Sequence, residues 1–289
     1  MATRNPVRTR FPGFNPTANF APDASLTDGD LLLLDPGRPD GTWEGTQIPN
    51  LAAASAKRIT GSDVGFATLF NSFASTASGR VERTAKGRPH IMVSKQSNTS
   101  SGATGLGAGA GLQILAALKA YFEANPTHVY TFVFAFKLTR GYTATAPALY
   151  PLFGLKTPAS LANSKVYTGI TASGTLSGVP TAAPDRLGLT GTTLPGDSSE
   201  KYVAITAKGF TLSTAVSTIM LYLGAWDSAT QNRAPSIAIS RVRATDLSAG
   251  TDLTHGNVVA RDQRAWSASL SVGGYYYGDT MSDPAELVP

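Results

Sequence analysis

Val129-Tyr-Thr-Phe-Val-Phe-Ala-Phe-Lys-Leu138 is the stretch that decides the fold of this 289-residue chain. Successive side chains of an extended strand point to opposite faces. One face therefore carries only large apolar side chains, namely Tyr130, Phe132, Phe134, Phe136 and Leu138. The other face carries Val129, Thr131, Val133, Ala135 and Lys137. The pattern predicts a strand with one face in a core and the other half-buried.

Further strands are predicted on both sides of turns rich in Gly, Pro, Ser and Asp. They are Ala148–Leu155, Ser164–Thr171, Tyr202–Ala207, Thr218–Ala225, Ser236–Arg243 and Arg264–Val272. In the last of these, Trp266, Ala268, Leu270 and Val272 alternate with serines. Many short strands separated by turns are typical of sandwiches and jelly rolls. We predict a mainly β fold, with an antiparallel β-sandwich or jelly roll over residues 128–289.

We predict that residues 51–127 form a mixed segment, which packs on the sandwich and contains one or two short helices. The Ala-rich stretch 51–58 follows Pro49-Asn50 and favours a helix. A second helix is predicted over 112–124, ending before Asn125-Pro126. The alternating glycines before it are Gly105, Gly107, Gly109 and Gly111. They lack the Lys-Ser/Thr pair of a phosphate loop, so we interpret them as close backbone packing or a flexible joint.

We predict that residues 1–50 form an extended N-terminal attachment arm. Proline recurs in this segment, and each proline fixes φ and pushes the preceding residue toward extended geometry. Spaced aromatic side chains on such an arm are candidate assembly anchors that insert into pockets of a neighbour. These are Phe11, Phe14, Phe20 and Trp43. The alternative is that they cap the core of this same chain.

The charge of the chain is +5 with a pI of about 9.4, while charged residues make up only 15% of it. Arg4, Arg8 and Arg10 stand without an acid in the first ten residues, and a second basic stretch covers 80–95. We favour docking on an acidic partner, or simple solvation, over nucleic acid, because no aromatic residues interleave with the charges. The absence of cysteine excludes disulfides and thiolate metal sites. No secretory signal and no membrane-spanning stretch is predicted.

Catalytic chemistry is not predicted by any motif. His90, His128 and His255 are far apart in sequence, and no paired carboxylates of the glycosidase kind occur on the strong strands. Asp28-Gly29-Asp30 resembles the start of a calcium loop but lacks the remaining ligands, which favours a turn. We therefore predict a protein that is not an enzyme and has no catalytic residue, cofactor or metal.

Two aromatic groups are candidate glycan-binding residues. Flat aromatic faces stack on apolar sugar faces, while neighbouring polar side chains hold the hydroxyls. The candidates are Trp226, Asp227, Gln231, Asn232, Tyr275, Tyr276 and Tyr277. The alternative is that Trp226 packs under a strand end and that the tyrosines contact a neighbouring subunit.

The C-terminal half resembles the concanavalin A-like (laminin-G-like) jelly rolls. The resemblance lies in Phe132-Val-Phe-Ala-Phe-Lys137, Tyr202-Val-Ala-Ile-Thr206, Leu221-Tyr-Leu-Gly224, Ile237-Ala-Ile-Ser-Arg-Val242 and Asp246-Leu-Ser248, and it covers residues 128–250. The segment from Leu31-Leu-Leu-Leu-Asp-Pro36 through Ile48-Pro-Asn-Leu51 is similar to the opening segments of bacteriophage tail and baseplate proteins that carry such domains.

This resemblance implies a structural virion protein of a tail fibre, a baseplate or a capsid decoration. The implied partners are other virion proteins and copies of the chain itself, as a homo-oligomer for which a trimer is one candidate. The implied localisation is the virion, with the arm docked on the particle. The alternative is a module that recognises a host surface glycan, and a polysaccharide-degrading enzyme is the least favoured hypothesis.

Overall fold

The computed structural model describes residues 23–73, 75–96, 109–141, 150–155, 166–170, 176–178, 186–193, 200–208, 218–224 and 231–288. The strands are β1 (Asp30–Leu34), β2 (Gln47–Pro49), β3 (Phe66–Asn71), β4 (Gly79–Arg83), β5 (Pro89–Val93), β6 (Gly109–Gln113), β7 (Val129–Arg140), β8 (Tyr150–Leu155), β9 (Val166–Ile170), β10 (Leu176–Gly178), β11 (Arg186–Thr193), β12 (Glu200–Lys208), β13 (Ile219–Gly224) and β14 (Ser236–Asp246). The helices are α1 (Ala53–Thr60), α2 (Ala116–Ala124) and α3 (His255–Leu270), with 3-10 turns at Gln231–Arg233 and Pro284–Glu286.

Two antiparallel sheets face each other, which confirms the predicted β-sandwich, but the predicted bounds 128–289 are too narrow, since strands from residues 30–113 belong to both sheets. The first sheet has the order β11-β12-β7-β14-β5-β4, and β1 pairs with the far end of β14. The second sheet has the order β10-β9-β8-β13-β6-β3-β2. The inner faces of both sheets share one apolar core.

Strand β7, which the sequence predicts, lies between β12 and β14 in the first sheet. Its large apolar side chains point into the core, where the ring of Phe134 stacks on Phe153 of the second sheet at a centroid distance of 4.6 Å. Five further predicted strands are confirmed within a few residues of their ends. They correspond to β8, β9, β12, β13 and β14.

The predicted strand Arg264–Val272 is wrong, because this segment is the second half of α3. A capping box fixes the start of the helix: the Thr254 hydroxyl accepts from the Asn257 N–H, and the Asn257 side chain accepts from the Thr254 N–H. Residues buried along the helix follow the helical period rather than alternation. They are Val258, Val259, Asp262, Trp266 and Ser269. No helix in the described part of the chain is long and apolar enough to cross a membrane.

The segment around the glycines also differs from the prediction. Leu112 belongs to strand β6, and the helix begins only at Ala116. A Cβ on Gly111 would lie 1.9 Å from the Leu221 carbonyl oxygen, and one on Gly109 would lie 2.6 Å from the Leu223 carbonyl oxygen. These two glycines therefore allow β6 to approach β13 closely, as the close-packing interpretation predicted. Gly105 and Gly107 lie outside the described residues.

The second half of the predicted arm belongs to the sandwich. Strand β1 pairs with β14 in the first sheet, and its leucines are buried in the core. Trp43 is 8% exposed and donates from Nε1 to the Gly87 carbonyl at 2.8 Å, so this predicted anchor caps the chain's own core. The reason is the run Leu31–Leu34, whose apolar side chains are stabilised by burial in the core of this same chain. Phe11, Phe14 and Phe20 lie outside the described residues.

Candidate functional site: a buried ionic layer

The outer face of the first sheet carries a layer of charged side chains that are as buried as the core. We call it the ionic layer and define it as Asp23, Asp30, Asp35, Arg241, Arg243 and Asp262. Both arginines and Asp262 have side chains with no exposed surface. A charged side chain that is this completely removed from water is stable only when groups of opposite charge and hydrogen-bonding groups surround it.

Strand β14 supplies the arginines because a β-bulge changes its alternation. The pairing with β7 shifts between Ile239 and Arg241, so that Ser240 is the extra residue. Before the shift Ile237 and Ile239 face the core, and after it Val242 does. Arg241 and Arg243 consequently point to the outer face.

Arg241 joins three segments of the chain. Its Nη1 lies 2.5 Å from Asp35 Oδ2 and 3.0 Å from Asp23 Oδ2, and its Nε lies 2.9 Å from Asp262 Oδ1 in α3. Its Nη2 donates to the Ser25 hydroxyl at 2.5 Å. One guanidinium thus holds the segment before β1, the residue after β1 and the helix.

Arg243, the next residue of β14 on the outer face, also binds an aspartate of the segment around β1 together with Asp262 of α3. It binds Asp30 with both ends of its guanidinium fork, from Nε at 2.9 Å and from Nη2 at 2.8 Å. Its Nη1 reaches Asp262 Oδ1 at 3.0 Å, and its Nη2 donates to the Ser25 carbonyl at 2.9 Å. Planar bidentate geometry of this kind is specific to arginine.

Two tyrosines close the layer from the C-terminal side. The hydroxyl groups of Tyr275 and Tyr276 both hydrogen-bond Asp35, the second at 2.7 Å. The Tyr276 hydroxyl also lies 2.7 Å from the carbonyl oxygen of the bulge residue Ser240 and accepts from the Gly37 N–H at 3.0 Å. Burial next to Asp35 raises the pKa of both tyrosines, so they remain protonated donors.

The carboxylates of the layer differ in their proton affinity. Burial alone would raise the pKa of Asp23, but the Arg241 charge and hydrogen bonds from Arg241 and Ser25 hold that pKa well below its usual value. For Asp30 and Asp35 the effect of burial is larger than that of the neighbouring arginine, and the pKa of each is raised. Of these three carboxylates, Asp23 is therefore the one most firmly held in its charged form.

A third arginine extends the buried charges toward the C-terminal end. Arg88 is 1% exposed and binds Asp279 Oδ2 from Nε at 2.6 Å and Glu200 Oε1 from Nη1 at 2.9 Å. Its guanidinium carbon lies 4.9 Å from the centre of the Tyr276 ring. Arg88 belongs to the predicted basic stretch, but it forms internal ion pairs and does not face a partner.

The predicted glycan residues do not form one site in the described part of the chain. Tyr276 is buried and Tyr275 binds Asp35, whereas Tyr277 is 52% exposed. The Asn232 carbonyl accepts from Arg140 Nη2 at 3.3 Å in a 3-10 turn that begins at Gln231. Trp226 and Asp227 lie outside the described residues.

The three histidines stay apart and have separate partners. His90 contacts Glu82 Oε1 at 3.1 Å, His128 Nδ1 contacts Asp246 Oδ2 at 2.6 Å, and His255 contacts the Thr131 hydroxyl at 3.1 Å. Within the ranges that the structure describes, no group of three or more His, Cys, Asp or Glu side chains is arranged to hold a metal ion.

The sequence analysis missed the ionic layer, although two signals for it were present. Arginine recurs at Arg241 and Arg243 among the apolar residues of one strand, and five aspartates stand between residues 23 and 40 with Arg38 as the one base among them. Strand arginines that cannot reach solvent require carboxylates elsewhere in the chain. The arrangement does not present a reacting group to solvent; it joins the N-terminal segment, β14 and α3 into one unit.

Comparisons with known proteins give little further information. No family model and no curated protein matches the chain. Among solved structures, the sialidase of Trypanosoma rangeli with 2,3-difluorosialic acid (covalent intermediate) is similar with a TM-score of 0.45 at 14% identity, over 83% of this chain and 34% of the sialidase. The same sialidase with 2-keto-3-deoxy-D-glycero-D-galacto-2,3-difluoro-nononic acid is similar with a TM-score of 0.46 at 14% identity, over 89% of this chain and 36% of the sialidase. The chain thus spans about a third of their length, and a likeness at this level carries no functional argument.

Proposed function

We propose that this chain is a structural protein of a bacteriophage virion, in a tail fibre, a baseplate or a capsid decoration, and that the segment before Asp23 attaches it to the particle. One observation carries the proposal. Immediately after that segment, Asp23 is fixed by buried ion pairs to Arg241 at 3.0 Å and to Arg38 at 3.1 Å. A segment can hold a domain on a particle only if the segment is itself fixed to that domain. The ion pairs of Asp23 provide this fixed point.

The anchoring continues from Asp23 into the sheet. Ser25 contacts Arg241 and Arg243, Asp30 binds Arg243, and β1 then pairs with β14 in the first sheet. Separating the segment from the sandwich would leave buried charges without partners, which costs about 3–5 kcal/mol for each broken pair. These contacts suit a domain that is held through its N-terminal end.

The attachment surface itself would lie in residues 1–22. This segment contains Phe11, Phe14 and Phe20 together with three arginines and no acid among its first ten residues. Each aromatic side chain that became buried on a neighbour would contribute about 1.5–3 kcal/mol. Several copies on one particle would make such contacts durable, since linked binding events reinforce each other.

The test is to measure incorporation of the chain into particles. Particles purified from bacteria that carry the gene are analysed by quantitative mass spectrometry, for the unaltered chain and for the combined variant F11A, F14A and F20A. We expect the unaltered chain in the particles and loss of the variant, while the control Tyr277→Ala, which changes an aromatic side chain that is 52% exposed, is retained. Absence of the unaltered chain from particles, or full retention of the triple variant, would overturn the proposal.

Glycan recognition is the second candidate, and the exposure of Tyr277 favours it. Tyr277 is one of three exposed large apolar residues among those described, and its loop is fixed by hydrogen bonds of its own backbone. Titration with host surface polysaccharides, with Tyr277→Ala as the variant, tests this role. Saturable binding that Tyr277→Ala weakens would support it, and no binding by the unaltered chain would reject it.

A further inference from the structure

Three hydrogen-bonded side chains form a row on the outer face of the first sheet, and none of them belongs to the ionic layer. His90 Nε2 lies 2.9 Å from the Thr139 hydroxyl, and His90 Nδ1 lies 3.1 Å from Glu82 Oε1. A hydroxyl on one ring nitrogen and a carboxylate on the other is the order of nucleophile, base and orienting acid in acyl-transfer enzymes. Both distances fall within the range of about 2.6–3.2 Å that such groups show.

The register of the first sheet brings these residues together. Glu82 of β4 pairs with His90 of β5, and His90 pairs with Ala238 of β14, the strand that separates β5 from β7. The His90 side chain therefore reaches across β14 to Thr139 of β7, over two strand spacings of about 4.8 Å each. Ala238 leaves room for this contact because its side chain is a single methyl group.

The charge state of each group fixes the direction of both hydrogen bonds. Burial alone would raise the pKa of the Glu82 carboxyl, but hydrogen bonds with His90 and Ser282 lower it, so Glu82 is a carboxylate at neutral pH. A carboxylate can only accept, and His90 Nδ1 therefore carries the proton. Burial lowers the pKa of His90 more than the Glu82 carboxylate raises it, so the imidazole is uncharged at neutral pH. Its Nε2 then accepts the proton of the Thr139 hydroxyl, as a general base does.

The other two histidines each lack one part of this arrangement. His128 Nδ1 lies 2.6 Å from Asp246 Oδ2, but among the described residues no hydroxyl group is hydrogen-bonded to its Nε2. His255 Nδ1 lies 3.1 Å from the Thr131 hydroxyl, but no carboxylate in the described ranges binds its other nitrogen. His90 differs from both because a hydroxyl and a carboxylate lie on opposite sides of its ring. The chain thus contains its own matched control in His128.

We propose that this group hydrolyses carboxylic esters, with Thr139 as the nucleophile, His90 as the general base and Glu82 as the residue that positions His90. The Thr139 oxygen attacks the ester carbonyl carbon while its proton passes to His90 Nε2. The bond from that carbon to the alcohol oxygen then breaks, and His90 returns the proton to the departing alcohol, which leaves the acyl group on Thr139. Water attacks this acyl group and gives a proton to His90, which passes it to the Thr139 oxygen as the carboxylic acid departs.

The two ends of the group differ in their access to a substrate. Ser282 covers the Glu82 end, where its N–H and its hydroxyl donate to the carboxylate at 3.1 and 3.0 Å. Thr139 is half-buried, so an ester carbonyl would reach the group at this end. The proposal departs from the sequence-based prediction of no enzymatic activity, because His90 and Thr139 are 49 residues apart and meet only in the fold. It does not depend on attachment through residues 1–22, and its test can fail while the proposed function stands.

Labelling of the full chain with a fluorophosphonate tests the nucleophile directly. This reagent forms an O–P bond with an activated hydroxyl group and releases fluoride, and peptide mass spectrometry locates the adduct. We expect the adduct on Thr139, its retention in Thr139→Ser, and its loss in Thr139→Val, which keeps the shape of the side chain without the hydroxyl. His128→Ala is the matched control and should be labelled like the unaltered chain. Melting temperatures show whether each variant is folded.

The labelling rate tests the role of the imidazole. His90→Asn should slow labelling by about 10²-fold or more, which is the contribution of a general base. For the unaltered chain the rate should rise with pH as His90 loses its proton, with a midpoint below the ordinary value of 6.5, because burial and the Arg88 and Arg80 charges lower the pKa of His90 despite the Glu82 carboxylate. Hydrolysis of p-nitrophenyl acetate should follow the same order of variants. An unlabelled chain, an adduct on another residue in place of Thr139, or a labelling rate that does not change with pH would overturn the proposal.

Discussion

Both faces of the first sheet are buried, but only the outer face adds a layer of buried charge to its apolar contacts. The inner face is apolar, with Phe134 stacked on Phe153 across the sandwich. The outer face carries the ionic layer, in which Arg241 and Arg243 have no exposed surface. An apolar core accepts many substitutions of similar volume, whereas a buried charge requires its own partners. The inner face therefore holds the sheets together, and the outer face selects which segments lie on it.

Arg241→Ala should have the largest effect of the changes considered. It leaves Asp23, Asp35 and Asp262 with fewer partners in a buried site, and breaking one side of a buried ion pair costs about 3–5 kcal/mol. Urea denaturation measures the free energy of unfolding. Arg264→Ala, on the exposed side of α3, is the control and should change it by less than about 0.5 kcal/mol. Equal effects of the two variants would contradict the assigned role of Arg241.

Tyr276→Phe should cost less, about 1–3 kcal/mol. The missing hydroxyl leaves the Gly37 N–H and Asp35 Oδ1 without a partner, and an unsatisfied buried polar group costs about this amount. Tyr277→Phe, one residue further and 52% exposed, should be close to neutral. Thermal unfolding of both variants tests the difference, and a neutral Tyr276→Phe would show that the hydroxyl does not stabilise the layer.

Phe134→Leu on the inner face should cost at most about 1.5 kcal/mol, since neighbouring apolar side chains can adapt to a similar volume. The contrasting change on the outer face is Arg241→Lys, which keeps the charge but loses the fork that reaches three carboxylates. Hydrogen bonds to charged groups contribute about 1.5–3 kcal/mol each, so this conservative change should cost more than Phe134→Leu. Urea denaturation of both variants gives the order, and the reverse order would refute the contrast between the faces.

The smallest effect expected is a change in the pH dependence of stability in Asp23→Asn, which adds to the stability that this variant loses at neutral pH with its ion pairs to Arg38 and Arg241. The pKa of Asp23 is lower in the folded state than in the unfolded chain, so its contribution to stability is present above its unfolded pKa and is lost as the pH falls. The pKa values of Asp30 and Asp35 are raised in the folded state, so protonation of these two groups at low pH favours the folded state. The variant keeps both groups. Between about pH 7 and about pH 3, Asp23→Asn should therefore lose less stability than the unaltered chain. An equal or greater loss would contradict the low pKa.

The sandwich could be predicted from the sequence because alternation is strong where one face is apolar, as in Val129–Leu138. The same rule fails at Arg264–Val272, where residues four apart on a helix also fit an alternating pattern and Thr254, ten residues upstream, decides the structure. The two arginines and the aspartates are visible in the sequence, but their pairing could not be predicted, because Asp35 and Arg241 lie 206 residues apart and Asp30 and Arg243 lie 213 residues apart. Alternation in β14 also breaks at the bulge, which no local pattern shows.

The central claim is that buried ion pairs on the outer face fix residues 23–36 and α3 to the sandwich. Hydrogen–deuterium exchange of Arg241→Lys against the unaltered chain tests it most directly. We predict that protection falls first over residues 23–36 and in α3, while β6 and β13 in the second sheet keep theirs. A uniform loss of protection over the whole chain, or unchanged protection over residues 23–36, would contradict the claim.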